Sequence, residues 1–450
     1  VSMTTAVRPD AALWRLGGVL IMGAVLSILD ATIVTVGIGS IARDLDSPLT
    51  TVQWVASAYL LAASAAIPLS GWLTDRFGGR AVWLTAVAVF TAGTLLCGFA
   101  WSAPALVAFR VLHGLGGGLM QPVGQAVFAQ EAGPALGRMI GVITLPATVA
   151  PVLGPMLGGA LVADFGWRWM FFGIVPLGVA TFLFARRLLP APPPGGVKAP
   201  LDVRGLALLS PGLAAFVYGL AEGVVVAGVA GAALVVAYGV HASRTASPVL
   251  DLALFRNKGF AVASVSTFLL GASLYSSMLL LPLYYEQVEH VSALRAGMLL
   301  APQALGSAAV MLASGRLLAR FGPRRMMLAG IASSLLGTAA FTQLGSAPGD
   351  VLLTLSLLIR GVGLGAATAP GMTTLYGSLD RAHIPRAASA FNVVNRIGGS
   401  LGTALLAAIL HRELTTTPAA AAFGTTFTWA LALSALALIP ALLFPQRSPR

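Results

Sequence analysis

The chain is a succession of apolar runs, each of about 20 residues, separated by short polar turns that hold most of its charge. A helix rises about 1.5 Å per residue, so such a run crosses a hydrocarbon core about 30 Å thick. Within lipid only helices or closed barrels satisfy the backbone polar groups, and these runs are too long for barrel strands. The expectation is an all-α polytopic membrane protein. With 57% hydrophobic and 9% charged residues, the chain could not cover itself with a water-soluble surface.

Six runs are expected at 16–38, 51–72, 81–100, 103–129, 139–163 and 169–185. A proline-rich, basic loop over 186–204 follows, then two shorter runs at 206–221 and 223–240. After a polar link over 241–258 come 259–285, 293–312, 326–344, 351–375, 387–411 and 423–444. The domain reading is a six-helix bundle over 1–188, linkers with two extra transmembrane helices over 189–258, and a second six-helix bundle over 259–450. The first run follows a short polar stretch and contains Asp30, so it reads as a membrane helix and not as a cleaved signal.

An internal duplication checks that count. Gly71-Trp72-Leu73-Thr74-Asp75-Arg76-Phe77-Gly78-Gly79-Arg80 returns 244 positions later as Gly315-Arg316-Leu317-Leu318-Ala319-Arg320-Phe321-Gly322-Pro323-Arg324. The offset exceeds half the chain, as it should if two helices stand between two six-helix halves. An even number of spans puts both termini and both repeated turns on one side. Of 27 Lys and Arg, 20 fall on that side, four on the other (Arg43, Arg168, Arg295, Arg412), and three within spans (Arg110, Arg360, Arg396). This excess marks the side as cytoplasmic.

The same asymmetry accounts for the net charge of +12 without nucleic acid, since no basic run is interleaved with aromatics. The single cysteine, Cys97, excludes a disulfide framework and reads as a buried small hydrophobe. Five scattered histidines give no metal site, and no cofactor is expected. No nucleophile with a base supports an enzyme. The run Gly114 to Gly118 lies inside a span and suits close helix packing better than phosphate binding.

Asp30 is the only carboxylate well inside a span; the other acids sit at ends or in loops. A buried carboxylate must be paired or hold a proton, and either state can be switched by protonation. Arg110 is its expected partner, because both fall in the outer part of their spans. The pair reads as proton-coupling, with a fixed structural ion pair as the alternative. Arg360 is the second-half counterpart and has no evident acid.

The pattern Gly71-x3-Asp75-Arg76-x-Gly78-x-Arg80 resembles the loop between helices 2 and 3 of the major facilitator superfamily. The resemblance implies that this loop locks the two bundles on the cytoplasmic side, Asp75 engaging the partner bundle. Ala319 stands where a second such acid would be, and part of the charge of Arg76 and Arg80 would serve topology. Gly141-x8-Ala150-x3-Gly154-Pro155-x2-Gly158-Gly159 is similar to the superfamily's antiporter motif, with Ala150 for one glycine. Small residues there let helix 5 pack closely, and Pro155 removes an amide.

Further matches resemble the fourteen-helix drug:proton antiporters: Leu29-Asp30-x2-Ile33, Trp54-x4-Tyr59, Arg110-x3-Gly114-x-Gly116, Pro122, Trp167-Arg168-Trp169-x-Phe171, Leu252-x-Leu254-Phe255-Arg256-Asn257 and Gly398-Gly399-Ser400-Leu401-Gly402. Departures are Thr35, Gly37 and Gly39-Ser40 in helix 1 and Asn395-Arg396 near helix 13.

The resemblance implies a major facilitator fold and a proton-driven exporter of amphipathic molecules such as drugs, antibiotics or natural products. It implies a central cavity, for which Trp54, Tyr59, Gln121, Gln125, Gln303, Asn392, Arg396 and Arg360 are candidate contacts. For each of these an interface anchor or a helix-to-helix bond is an equal alternative. One embedded acid against three arginines favours neutral, anionic or zwitterionic compounds. The expected setting is a bacterial plasma membrane, both termini cytoplasmic, with a small-molecule substrate, protons and the bilayer as partners. A monomer is expected, because one chain holds both halves. The alternatives are lipid or acyl-metabolite export, marked by a lateral opening beside helix 5 or 13, and a non-transporting scaffold or sensor.

Overall fold

A computed structural model describes residues 11–190, 200–346 and 348–445. The cations Arg8, Lys198, Arg447 and Arg450, the termini, and part of the basic loop lie outside the described residues.

The first half runs through α1 (Ala11–Asp44), α2 (Leu49–Ala66), α3 (Leu69–Phe77), α4 (Gly79–Gly98) and α5 (Ala103–Ala132). It continues with α6 (Leu136–Thr144), α7 (Pro146–Phe165), α8 (Arg168–Phe172) and α9 (Ile174–Leu188). The extra pair is α10 (Val203–Ala221) and α11 (Val225–Ala242). The second half comprises α12 (Lys258–Gln287), α13 (Ala293–Ala339), α14 (Asp350–Gly377), α15 (Ile384–Leu414), α16 (Ala419–Leu436) and α17 (Leu438–Ala441).

Twelve described helical stretches are long and apolar enough to cross a membrane. One of them, Arg295–Ser346, is broken at Gly322 and holds two crossings. With α6 and α7 supplying another, each of the fourteen expected runs is helical. The expected second run is divided: α2 stops at Ala66 and α3 restarts after Pro68, whose ring removes the amide that a continuous helix would use.

The duplication is visible in the backbone. Gly78 ends α3 at φ 81° and ψ 145°, and Gly322 breaks α13 at φ 76° and ψ 164°. These positions are the same step of the repeated turn, 244 residues apart. A side chain at positive φ would be strained, which gives both glycines a local reason.

In the first half α1 packs on α5, α7 and α9, and α5 lies against α2 and α4. In the second, α13 packs on α14 and α12 on α15 and α16. The glycine run in α5 works on both its sides. A Cβ at Gly114 or Gly118 would strike the α2 backbone at Tyr59 or Ala63, and one at Gly116 would meet α4 at Phe90 N, 2.5 Å away. The halves meet along two seams: α6 and α7 against α13, and α3 and α5 against α15. The extra helix α10 lies over the second seam, touching α2 and α15, and α11 packs on α10.

Candidate transport site

Asp30 on α1 and Arg110 on α5 are both buried at 0% exposure, in a layer built by the close approach of α2 and α4 to α5. Arg110 Nη1 donates to Asp30 Oδ2 at 2.6 Å, and Arg110 Nε donates to the Val55 carbonyl at 2.9 Å. The Tyr59 ring stacks on the guanidinium, 4.3 Å from Cζ to the centroid, and its hydroxyl donates to the Ser27 carbonyl at 3.2 Å. Asp30 Oδ1 is buried without a hydrogen-bond partner. One carboxylate oxygen is thus engaged, and the other keeps its lone pairs.

A third titratable group completes the layer. His113 stands one turn after Arg110 on α5 and is fully buried. Its Nδ1 lies 3.1 Å from Arg110 Nη1, its Nε2 2.9 Å from Thr94 Oγ1 and 3.8 Å from Asp30 Oδ2. Thr94 Oγ1 gives its proton to the Phe90 carbonyl at 2.8 Å, so it accepts from Nε2. Arg110 can only donate, so Nδ1 accepts. The hydrogen-bond network assigns a neutral ring with its proton on Nε2.

Arg360, on α14, is 1% exposed. It donates to Gln303 Oε1 at 2.5 Å, to Thr338 Oγ1 at 3.2 Å, to the Ser273 carbonyl at 3.5 Å, and to Ser277 Oγ. Among the described residues no carboxylate lies within 4.0 Å of it. The first half therefore buries a neutral pair, and the second a lone cation held by hydroxyls, an amide and a carbonyl.

The repeated turn joins the halves. Asp75 Oδ2 accepts from Arg386 Nε at the start of α15, 2.7 Å away. A Cβ at Gly71 would meet the Arg386 Cα at 3.1 Å, so a small residue sets how closely α3 approaches α15. Arg76 is exposed, whereas Arg80 Nη2 donates to the Arg186 carbonyl near the end of α9 at 2.6 Å. Around this latch lie Glu131 to Arg381 at 2.9 Å and the Ser389 hydroxyl on the Ile67 carbonyl at 2.9 Å. Asn392 to Gln125, at 2.8 Å, extends the contact. The bundles are closed against each other at this end.

In the antiporter-like stretch, Gly154 and Gly158 face α1. A Cβ at Gly154 would strike Thr32, and one at Gly158 would meet Ile33 Cγ1 at 2.7 Å and its carbonyl at 2.9 Å. Gly159 has nothing within 4 Å of its notional Cβ. Pro155 is within the α7 backbone, and its side chain is outside the described set. Gly141 on α6 packs across the seam on Met311 and Ser314 of α13. The motif thus seats α7 on α1 within three residues of Asp30.

Residues 20–403 match the family described as Major Facilitator Superfamily. The chain belongs to the major facilitator superfamily. It is 36% identical over 429 residues to a Mycobacterium tuberculosis protein named Multidrug resistance protein B homolog, covering 91% of this chain and 79% of that one. It is 28% identical over 419 residues to the Multidrug export protein EmrB of Haemophilus influenzae, covering 88% and 81%. Among solved structures it resembles the human organic anion transporter MFSD10, with TM-score 0.68 and 19% identity, over 96% of this chain and 100% of that one. At that identity the likeness concerns the fold alone. The protein is a multi-pass membrane transporter of the superfamily and not an enzyme.

The expected cavity contacts of this transporter do not form one set. Trp54 is 41% exposed and stacks on Tyr218 of α10, ring centroids 5.2 Å apart, so it fastens the extra helix. Tyr59 belongs to the Arg110 layer, and Gln303 and Arg360 bind each other. Gln125 and Asn392 join α5 to α15. Gln121 is half-buried in α5. Arg396 donates from Nε to Ser64 Oγ at 3.1 Å and from Nη2 to the Leu60 carbonyl at 3.4 Å.

Three participants were not singled out from the sequence. His113 carries a signal in its spacing, three residues from a buried arginine on the same helical face. Arg386 and Arg381, the latch partners, sit in a stretch whose charge reads only as topology. Trp167 and Arg168 also gain a contact at the other end of the bundle, both donating to Asp44 Oδ2 at the end of α1.

Proposed function

We propose that this transporter is a proton-coupled exporter of amphipathic organic molecules, an antiporter working by alternating access in a bacterial plasma membrane. The single observation that carries this reading is the Asp30–Arg110 pair: a lone intramembrane carboxylate, with one oxygen on a guanidinium and the other without a partner. A proton on Oδ1 removes the charge that holds Arg110 Nη1, and leaves that guanidinium with Val55, His113 and the Tyr59 face. The charge of the layer changes by one, which is the differential a proton gradient needs to bias one arrangement of the bundles over the other.

The positive charge concentrated on the side of the repeated turns supports cytoplasmic placement of the latched end and of both termini. The conformation described is then closed to the cytoplasm. Substrate and proton occupy the transporter in alternation, and a monomer suffices because both bundles are on one chain. Relatives named for multidrug resistance support a broad amphipathic substrate range.

The test is reconstitution of wild type and Asp30→Asn in liposomes with a pH-sensitive dye inside, under an imposed proton gradient. Matched cationic, neutral and anionic amphiphiles are then added. Wild type dissipates the gradient on adding transported compounds, and Asp30→Asn, inserted to the same level, does not. Equal dissipation by both proteins removes Asp30 from the coupling.

A further inference from the structure

A cavity of about 170 Å3 lies where α2, α10, α12 and α15 meet. Leu60, Val217, Tyr275, Thr403 and Ala404 line it, and Arg396 is its one charged residue. The two contacts that Arg396 makes use Nε and Nη2, and no carboxylate lies within 4.0 Å of it among the described residues. Here an arginine without a counter-charge meets open apolar space.

Its outer wall is an extra helix attached to one bundle. Tyr218 of α10 stacks on Trp54, Glu222 at the end of α10 accepts from Ser57 Oγ at 2.8 Å, and Ser210 donates to the Ala65 carbonyl at 2.7 Å. All three partners are on α2. Towards α15 the described contacts of α10 are packing alone. The cavity therefore lies against the side of α10 that no described hydrogen bond fastens to α15.

We propose that this cavity binds an anionic single-chain amphiphile, its head group on Arg396 and its chain running under the end of α10 into the bilayer. The proposal names a substrate class for the export reading and rests on it for its physiological sense. Charge complementarity selects the head: a cation would face an unpaired guanidinium in a low-dielectric wall, whereas a carboxylate, sulfate or phosphate gains a charge-assisted pair. Size selects the tail. An apolar cavity of about 150 Å3 holds one benzene ring, so this one takes a short length of chain and the remainder extends beyond it. Glu222, just past α10, does not line the cavity, so Arg396 is the charge that a ligand in it meets.

Three probes with the same twelve-carbon chain separate the alternatives: dodecanoate, dodecyl maltoside and dodecyltrimethylammonium. Binding is measured on purified transporter in nanodiscs, with empty nanodiscs subtracted. Wild type is expected to hold dodecanoate about tenfold or more tighter than the cation, the worth of one hydrogen bond to a charged group. Arg396→Gln abolishes that preference, Arg396→Lys keeps it, and Ala404→Trp, which fills the cavity, weakens all three. Equal dodecanoate binding by Arg396→Gln, or a preference for the cation, overturns the proposal. Should Arg396→Gln not fold, unchanged binding by Ala404→Trp overturns it equally. Asp30→Asn, at a residue that does not line the cavity, is measured in parallel. Loss of coupling with binding intact leaves both readings standing. Binding to wild type with coupling unaffected in Asp30→Asn removes Asp30 from the coupling and leaves the site standing.

Discussion

The latch between Asp75 and Arg386 predicts an asymmetry between its two partners. Both side chains are mostly buried, 12% and 18% exposed, and they meet at 2.7 Å. Asp75 lies on α3, outside the membrane-crossing stretches, and burial pushes its carboxyl above the ordinary carboxylate range, with the Arg386 guanidinium pulling part of the way back. Removing the arginine leaves an anion that burial already disfavours. Arg386→Gln should therefore cost the closed arrangement about 1.5–3 kcal/mol, the worth of a hydrogen bond to a charged group. That moves the open-to-closed ratio about 10- to 150-fold. Asp75→Asn removes the disfavoured charge along with the pair, so its effect should be several-fold smaller. The pH dependence has a definite sign. The carboxyl is raised in the closed state relative to a solvated aspartate, so the closed state binds the proton more tightly and gains as pH falls through its raised value. Acidification should return Arg386→Gln towards closure. The assay is a distance distribution between spin labels at the exposed positions 187 and 320, after replacing the single buried Cys97. Asp75→Asn opening as far as Arg386→Gln, or acid opening the latter further, would refute the reasoning.

Three other outcomes are expected. Arg110→Met strands the Asp30 charge and should cost about 3–5 kcal/mol, whereas Arg360→Met strands only neutral acceptors and should cost about 1–3 kcal/mol, read as the order of thermal melting in detergent. His113→Gln can accept from Arg110 and donate to Thr94, so it should melt like wild type and keep the pH profile of transport, while His113→Leu loses about 1–3 kcal/mol; a shifted profile in the Gln variant would show that the ring titrates during the cycle. Gly158→Ala presses on Ile33 and should lower the melting temperature by the equivalent of about 1–3 kcal/mol, whereas Gly159→Ala, with open space around it, should not.

Much of the architecture is legible because lipid leaves few options: run length announces a crossing, and the repeated turn announces two halves. The same turn even predicts local backbone, since Gly78 and Gly322 adopt one conformation for one reason. Asp30 and Arg110 were readable as a pair because embedded charges are scarce and their depths agree. Contacts that depend on helix rotation were not readable. Nothing in Trp54 says that it turns to α10, and nothing in Gln303 says that it meets Arg360. The break between α2 and α3 had a mark in Pro68, which an unbroken apolar run from 51 to 72 conceals.

The duplicated halves have diverged in where they keep acids. The first half retains Asp75 in its turn and Asp30 in its core; the second has Ala319 at the matching turn and hydroxyls around Arg360. An arginine does not lose its proton in any accessible pH range, so the charge of the Arg360 layer is fixed. The Asp30 layer alone can change charge when a carboxyl takes a proton. A device that rocks two bundles against each other needs only one of them to respond to protons, provided the other offers a constant face. The lone cations of the second half, Arg360 sealed by its acceptors and Arg396 at an open cavity, supply that constancy. Under the two proposals the substrate's charge is read on α15 at Arg396, which lines a cavity, and the proton's on α1 at Asp30.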